Sequence, residues 1–185
     1  MDKKDLISAF DLTVYEQIRE TVREFQVDSI KLLNSNPMRV LDIAPQTHEG
    51  ISKLVPSRID VETLDIDPQY NPTFVGDICT RTSMPSNHYD AVFCTEVLEH
   101  VSNPFLAINE IKRILKPGGY LFASSPFGFR IHGPLPDNWR ISEHGWRELL
   151  KTFEHIDIKP LIDPNRFLMP LHYCVRAKKA VLGTL

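Results

Sequence analysis

The sequence predicts an α/β fold: a mostly parallel sheet with helices on both faces and an antiparallel last strand. Three observations predict it. Short apolar runs alternate with helical stretches from residue 38 onward, the rhythm of strand–helix–strand units whose sheet is covered on both sides. Proline- and glycine-containing breaks such as Pro56 and Lys116-Pro117-Gly118-Gly119 separate the runs. The final two strand-like runs are joined only by Ile162 to Leu168. That link is too short for a crossover helix, so the two runs pair antiparallel, which gives a parallel sheet with one antiparallel strand at its edge.

Taken in order, the first 35 residues read as helix, with Leu6, Phe10, Val14, Ile18, Val22 and Phe25 at helical spacing. Asn34-Ser35-Asn36-Pro37 stops it. Arg39–Ile43 is the first strand, and Gly50–Val55, closed by Pro56, is the region of the first crossover helix. Ile59–Ile66, Thr73–Val75 and Tyr89–Cys94 are the next three strands. Asn103–Leu115 is an amphipathic helix with Pro104 suited to its first turn. The turn at Lys116–Gly119 leads into a strand over Tyr120–Ser124. Glu143–Phe153 is helical, and His155–Leu161 and Met169–Ala177 are the closing strands. We divide the chain into an N-terminal helical segment, 1–36, and a domain over 37–185, together one compact unit.

Composition narrows the function. Hydrophobic residues make up 42% and charged residues 24%, a globular balance that excludes wholesale disorder. Lys and Arg number 21 against 24 Asp and Glu, which speaks against a broad nucleic-acid surface. No apolar run nears the roughly 18 residues of a membrane helix, and the charged start Met1–Asp5 lacks a signal-type apolar block. Cys79, Cys94 and Cys174 are far apart and odd in number, which suits a reducing, cytoplasmic setting without disulfides. HExxH, CxxC, GxSxG and Walker patterns are all missing from the sequence, as is any His/Asp set with metal-ligand spacing. No metal is expected.

In parallel sheets ligands sit at the carboxyl ends of the strands near the switch point. That directs attention to Asp42–Gly50, Asp65–Asp67, Asp77–Ile78 and Cys94–His100. Asp65 follows Asp42 by 23 residues (65 − 42) at a strand end, where a carboxylate accepts both ribose hydroxyls of a nucleoside or simply caps the strand. Asp67 is the second candidate. Asp77 either meets an adenine or opens a turn after Gly76.

Four segments in order, Val40-Leu41-Asp42-Ile43, Leu64-Asp65-Ile66, Tyr89–Val101 (with Thr95-Glu96-Val97-Leu98-Glu99-His100) and Ile114–Leu121, resemble the class I S-adenosylmethionine-dependent methyltransferases, small-molecule branch. The resemblance covers roughly 38 to 177 and implies a Rossmann-like sheet of seven strands with the last reversed. It implies S-adenosylmethionine as cofactor, held by Asp42, Ala44, Gln46, Thr47, His48, Asp65, Ile66, Asp77, Ile78, Thr95 and Glu96. The first loop departs from the family: Ala44-Pro45-Gln46-Thr47-His48, with Gly50 following, stands in place of GxGxG. S-adenosylmethionine has no pyrophosphate for glycines to approach. Its carboxylate can instead take hydrogen bonds from Gln46, Thr47 and His48.

Residues 126–147 follow the fifth strand and are rich in aromatic, proline and ionisable side chains. They resemble the His…Pro-Asp-x-Trp-Arg segment of methyltransferases associated with glycans and secondary metabolites. Phe127, Asp137, Trp139 and Arg140, with Tyr15 of the first helix, are the acceptor-side candidates. Asp137 and Arg140 either bridge to hold the loop or leave Arg140 to bind an acidic substrate. His132 is the candidate base and His100 the second. The expected activity is methyl transfer to a small molecule, on oxygen or nitrogen, without nucleic-acid or membrane partners. Two other readings compete: a protein of the same fold that binds the cofactor without turnover, motivated by the first loop, and a methyltransferase acting on protein or RNA. Cys94-Thr95-Glu96-Val97 lacks the Asn/Asp-Pro-Pro signature of nucleobase methylation.

Overall fold

Two apolar patterns, one of period two and one of helical period, build the layers. In the computed structural model, which describes residues 7–33, 38–46 and 50–181, α1 (Ala9–Ile30) is capped by Ser8, whose hydroxyl accepts the Asp11 N–H at 3.0 Å. Strand β1 (Met38–Ile43) shows the period of two: Val40 enters the core cluster shared with Phe25 of α1, while Leu41 and Ile43 enter the one on the opposite face. Strands β2 (Ile59–Asp65), β3 (Phe74–Val75), β4 (Tyr89–Thr95) and β5 (Leu115–Pro126) join it in parallel. On the α1 side Phe25 meets Phe122 edge to face, and Phe122 packs at a tilt against Phe93. Helices α2 (Pro104–Ile114) and α3 (Glu143–Leu149) cover the other face through Ile108, Ile111 and the fully buried Trp146. Asn103 caps α2 by accepting the Phe105 and Leu106 N–H groups, with Pro104 in the first turn.

The seven strands run in the order β3-β2-β1-β4-β5-β7-β6, with β6 (Phe153–Leu161) and β7 (His172–Lys179) closing the sheet. The last strand is reversed, as the sequence predicts, and pairs antiparallel with both β5 and β6. It lies between them rather than at the edge. Burial explains the placement: most of β7 is buried, whereas β6 alternates with exposed, charged positions that suit an edge.

Three elements differ from the sequence reading. Gly50–Val55 forms turns rather than a helix, because Pro56 leaves room only for bonds from Leu54 and Val55 back to Ile51. Helix α3 ends at Leu149, and Phe153 already opens β6 as a buried residue. Lys116–Gly119 is not a turn but part of β5, which passes a register shift opposite Tyr89–Ala91. Glycine permits it: Gly118 has φ +77°, and a Cβ on Gly119 would lie 2.9 Å from the Lys116 carbonyl and 3.0 Å from that of Asp90. The stop at Asn34–Pro37 lies outside the described residues. Among the described residues no helix is long and apolar enough to cross a membrane.

Because both obstacles at Gly119 are backbone atoms, they cannot swing aside. Gly119→Ala should cost about 1–3 kcal/mol, read as a lower midpoint in urea unfolding; an unchanged midpoint would show that the bulge relaxes freely.

Candidate active site

The first loop is held from below by Asp42. Its carboxylate is 2% exposed and accepts the Ile51 N–H at 2.9 Å. Burial pushes the carboxyl up to about 7, against the lowering effect of the Ile51 bond. Gly50 has φ +49°, and a Cβ there would stand 1.9 Å from Asp42 Oδ2. Gly50 is thus the glycine this loop requires, while Ala44 and Gln46 take positive φ (both 51°) without being glycine. Asp42 braces the loop; Thr47 and His48 lie outside the described residues.

Beside this loop a pocket of about 380 Å³ is lined by Gln46, Lys53, Thr63, Asp65 and Tyr70 among others. Asp65 is 4% exposed. Its Oδ1 accepts the Asp67 N–H at 2.9 Å, and its Oδ2 is buried with no hydrogen-bond partner. A buried acceptor left unpaired costs free energy that a ligand hydroxyl would recover. Asp67 is occupied: it caps the short Pro68–Tyr70 turn and accepts from the Gln69 side chain. Ile66 is exposed beside Asp65. Asp77 accepts the Cys79 N–H at 2.8 Å, the turn-opening geometry, and Ile78 is buried in the core.

The turn after β4 carries two carboxylates with opposite fates. Glu96, at φ +57°, accepts from His172 at 2.6 Å and from the Ser124 hydroxyl at 2.7 Å. Burial pushes its carboxyl up, but the His172 charge and hydrogen bonds outweigh this and hold it below the ordinary range. Neighbouring Thr95 accepts from Gln26 of α1 at 3.1 Å. Glu99 is fully buried and neither carboxylate oxygen has a hydrogen-bond partner. Burial, followed by the Glu96 charge, pushes it well above the ordinary carboxylate range. The sequence reading passed over Glu99 and His172. Glu99 carried a signal, an acid inside the otherwise buried run Val97-Leu98-Glu99; His172, 76 residues from Glu96, carried none.

His100 and His132 both turn to Glu99. Their Nε2 atoms lie 3.7 and 3.8 Å from Glu99 Oε1, and the rings meet edge to face at 5.1 Å. His100 Nδ1 is 2.9 Å from the Pro136 carbonyl, and His132 Nδ1 is 3.1 Å from Asp137 Oδ2. The structure therefore brings together the two histidines that the sequence nominated separately. Arg140 is fully spent: its five N–H groups reach both Asp137 oxygens and the Phe129, Arg130 and Trp139 carbonyls. The Arg140 guanidinium holds Asp137 down to about 2. Of the two readings of this pair the geometry has the bridge, with no donor left for a substrate. Trp139 Nε1 donates to the Val101 carbonyl at 2.9 Å, and the Asn138 and Trp139 N–H groups to the Glu99 carbonyl. Phe127 meets Tyr173 edge-on, while Tyr15 is exposed on α1 with its ring beside Arg19.

The family model described as a methyltransferase domain matches residues 15–162. The chain belongs to that methyltransferase family. The class I resemblance, the reversed seventh strand and the cofactor it implies, S-adenosylmethionine, agree with this membership. A ubiquinone biosynthesis O-methyltransferase of Marinobacter nauticus is 38% identical over 100 residues, 48% of this chain and 40% of that one. The chain spans between 24% and 40% of the length of such curated relatives. A SAM-dependent methyltransferase from Archaeoglobus fulgidus shares the fold at TM-score 0.63 and 17% identity, over 91% of this chain and 94% of its own. So does Haemonchus contortus phosphoethanolamine N-methyltransferase 2 in complex with S-adenosyl-L-methionine, at TM-score 0.60 and 16% identity, over 79% and 49%.

Two outcomes follow for this methyltransferase. Asp42 binds its proton more tightly folded than in the unfolded chain, whose pKa is about 3.9. Its contribution to stability is therefore lost as pH rises from about 4 to about 7. Asp42→Asn should flatten the melting temperature across that window; an equally steep variant would refute the shift. Arg140→Ala should lower the melting temperature, and Arg140→Lys should not restore it, since an ammonium cannot span the same five acceptors.

Proposed function

We propose that the chain transfers a methyl group from S-adenosylmethionine to a small-molecule acceptor lodged under the 126–147 loop. The observation that carries this is Asp65 Oδ2, a buried acceptor without a partner, facing a pocket at the carboxyl end of β2. That residue and place suit a ribose hydroxyl. Asp65 and Ile66 take the nucleoside side, and the Ala44–Gln46 turn, braced by Asp42, takes the methionine end. When bound, S-adenosylmethionine supplies a methyl group on a sulfonium, ready for in-line displacement.

The chain's own residues do the rest. His132, with His100 beside it, acts on the acceptor group that is to be methylated. Phe127 and Phe129, both half-buried on the loop, exclude water from the reacting atoms. The saturated Arg140 has no donor left for an acidic substrate. The O-methyltransferase relatives favour a hydroxyl over an amine, and a sugar or secondary metabolite is the class proposed. We place the reaction in a reducing, aqueous compartment, where Cys79, Cys94 and Cys174 stay free and buried.

Titration calorimetry with S-adenosylmethionine and S-adenosylhomocysteine tests the reading. Asp65→Ala should weaken both by about 1–3 kcal/mol, roughly 5- to 150-fold. Equal affinity in the variant would remove the ribose assignment, and no binding by the parent would remove the function.

A further inference from the structure

We propose that Glu99, His100 and His132 form a binding site for a divalent transition-metal ion, zinc by preference. Each offers one ligand atom, and the three atoms lie within 4.8 Å of one another. The two imidazole Nε2 atoms are 3.7 and 3.8 Å from the same Glu99 oxygen. Donors about 2.0–2.2 Å from one tetrahedral ion stand about 3.3 Å apart, so each histidine needs to close on Glu99 by only a few tenths of an ångström, with a further side-chain adjustment between the two rings.

Independently, Glu99 asks for a partner. Its side chain is fully buried, and neither oxygen accepts a hydrogen bond. A carboxylate in that position is costly unless a cation meets it. His100 is turned for the same purpose: its Nδ1 faces the Pro136 carbonyl, which can only accept, so that ring keeps its proton at Nδ1 and its lone pair at Nε2, toward Glu99. His132 Nδ1 lies 3.1 Å from Asp137 Oδ2, on the side of the ring away from Glu99. Metal-binding histidines are oriented by such outer partners, and here Arg140 in turn fixes Asp137.

The donor set selects the ion. Two imidazoles and one carboxylate suit zinc, iron, nickel or copper rather than magnesium. Three protein ligands leave one position for water or for an acceptor oxygen, as in catalytic zinc sites. Glu96 stays outside the set, since His172 and Ser124 already occupy it. The two ring donors come from segments 32 residues apart (132 − 100), which is why no local spacing announces the site. The site rests on the methyl-transfer reading only for its use: the ion would bind the acceptor hydroxyl and ease loss of its proton to solvent.

The test begins with chelator-treated full-length protein titrated with zinc(II) and with cobalt(II), magnesium(II) serving as the control. One zinc per chain should bind, and cobalt should give the visible absorption bands of a four-coordinate site. Glu99→Gln and His132→Ala should each raise the dissociation constant by more than about 100-fold, and Asp137→Asn by about 10- to 100-fold. S-adenosylhomocysteine affinity and melting temperature, measured on the same variants, show whether they fold. A parent that binds neither ion, or folded variants that bind like the parent, would overturn the metal site. Intact S-adenosylhomocysteine binding in that case would leave the methyltransferase reading standing.

Discussion

The central strands β1, β4 and β5 are covered on both faces, and that constraint organises everything else in the molecule. Val40, Ala91, Phe93 and Phe122 meet α1 and its neighbours, and Leu41, Val92, Cys94 and Ala123 meet the other layer. No charge is tolerated along such strands without a partner. Ionisable groups therefore collect where the strands end: Asp42, Asp65, Glu96 and Glu99 all stand at or just beyond a carboxyl terminus. A parallel sheet places those termini on one edge, so the packing rule that makes the core also makes the site.

The fold was legible because that rule leaves a trace in sequence. Apolar runs of strand length between helical runs give the parallel sheet, and the short Ile162–Leu168 link gives the reversal. What escaped were details set by tertiary context. The place of β7 inside the sheet depends on how buried it is relative to β6. The passage of β5 through Lys116–Gly119 depends on a bulge that only the facing strand reveals. In the site, Asp65 was legible from its position at a strand end, and the paired histidines from their residue type. His172 was not, and Glu99 showed only as an acid in an apolar run, since their meaning lies in contacts across 76 residues (172 − 96) and 33 residues (132 − 99) of chain.

Glu96 and Glu99 show how one short turn separates two chemical roles. The positive φ of Glu96 points its side chain to β5 and β7, where His172 and Ser124 complete it. Three residues on, Glu99 is fixed by its backbone instead: its carbonyl accepts from Asn138 and Trp139, while its carboxylate is left to face the histidines. One acid is consumed by the scaffold and the other is kept in reserve. Reserve of this kind is costly in a folded protein, and it persists at sites where a ligand supplies the missing partner.

The acceptor side follows from the same accounting of donors. The 126–147 loop is tied to the β4 turn by Trp139, Asn138 and the His100–Pro136 contact, and closed on itself by the Asp137–Arg140 clasp. Arg140 is thereby spent within the loop and cannot select a substrate by charge. On the proposed reading, selection draws on shape and on the aromatic faces of Phe127 and Phe129, backed by whatever the Glu99 cluster binds. Discrimination by apolar fit is weak for a single methylene and strong only where a polar group of the site would otherwise go unpaired. The unpaired Glu99 is such a group, and on the proposed reading it makes the hydroxyl-directed end of the site, rather than the apolar cover, the place where one acceptor is told from another.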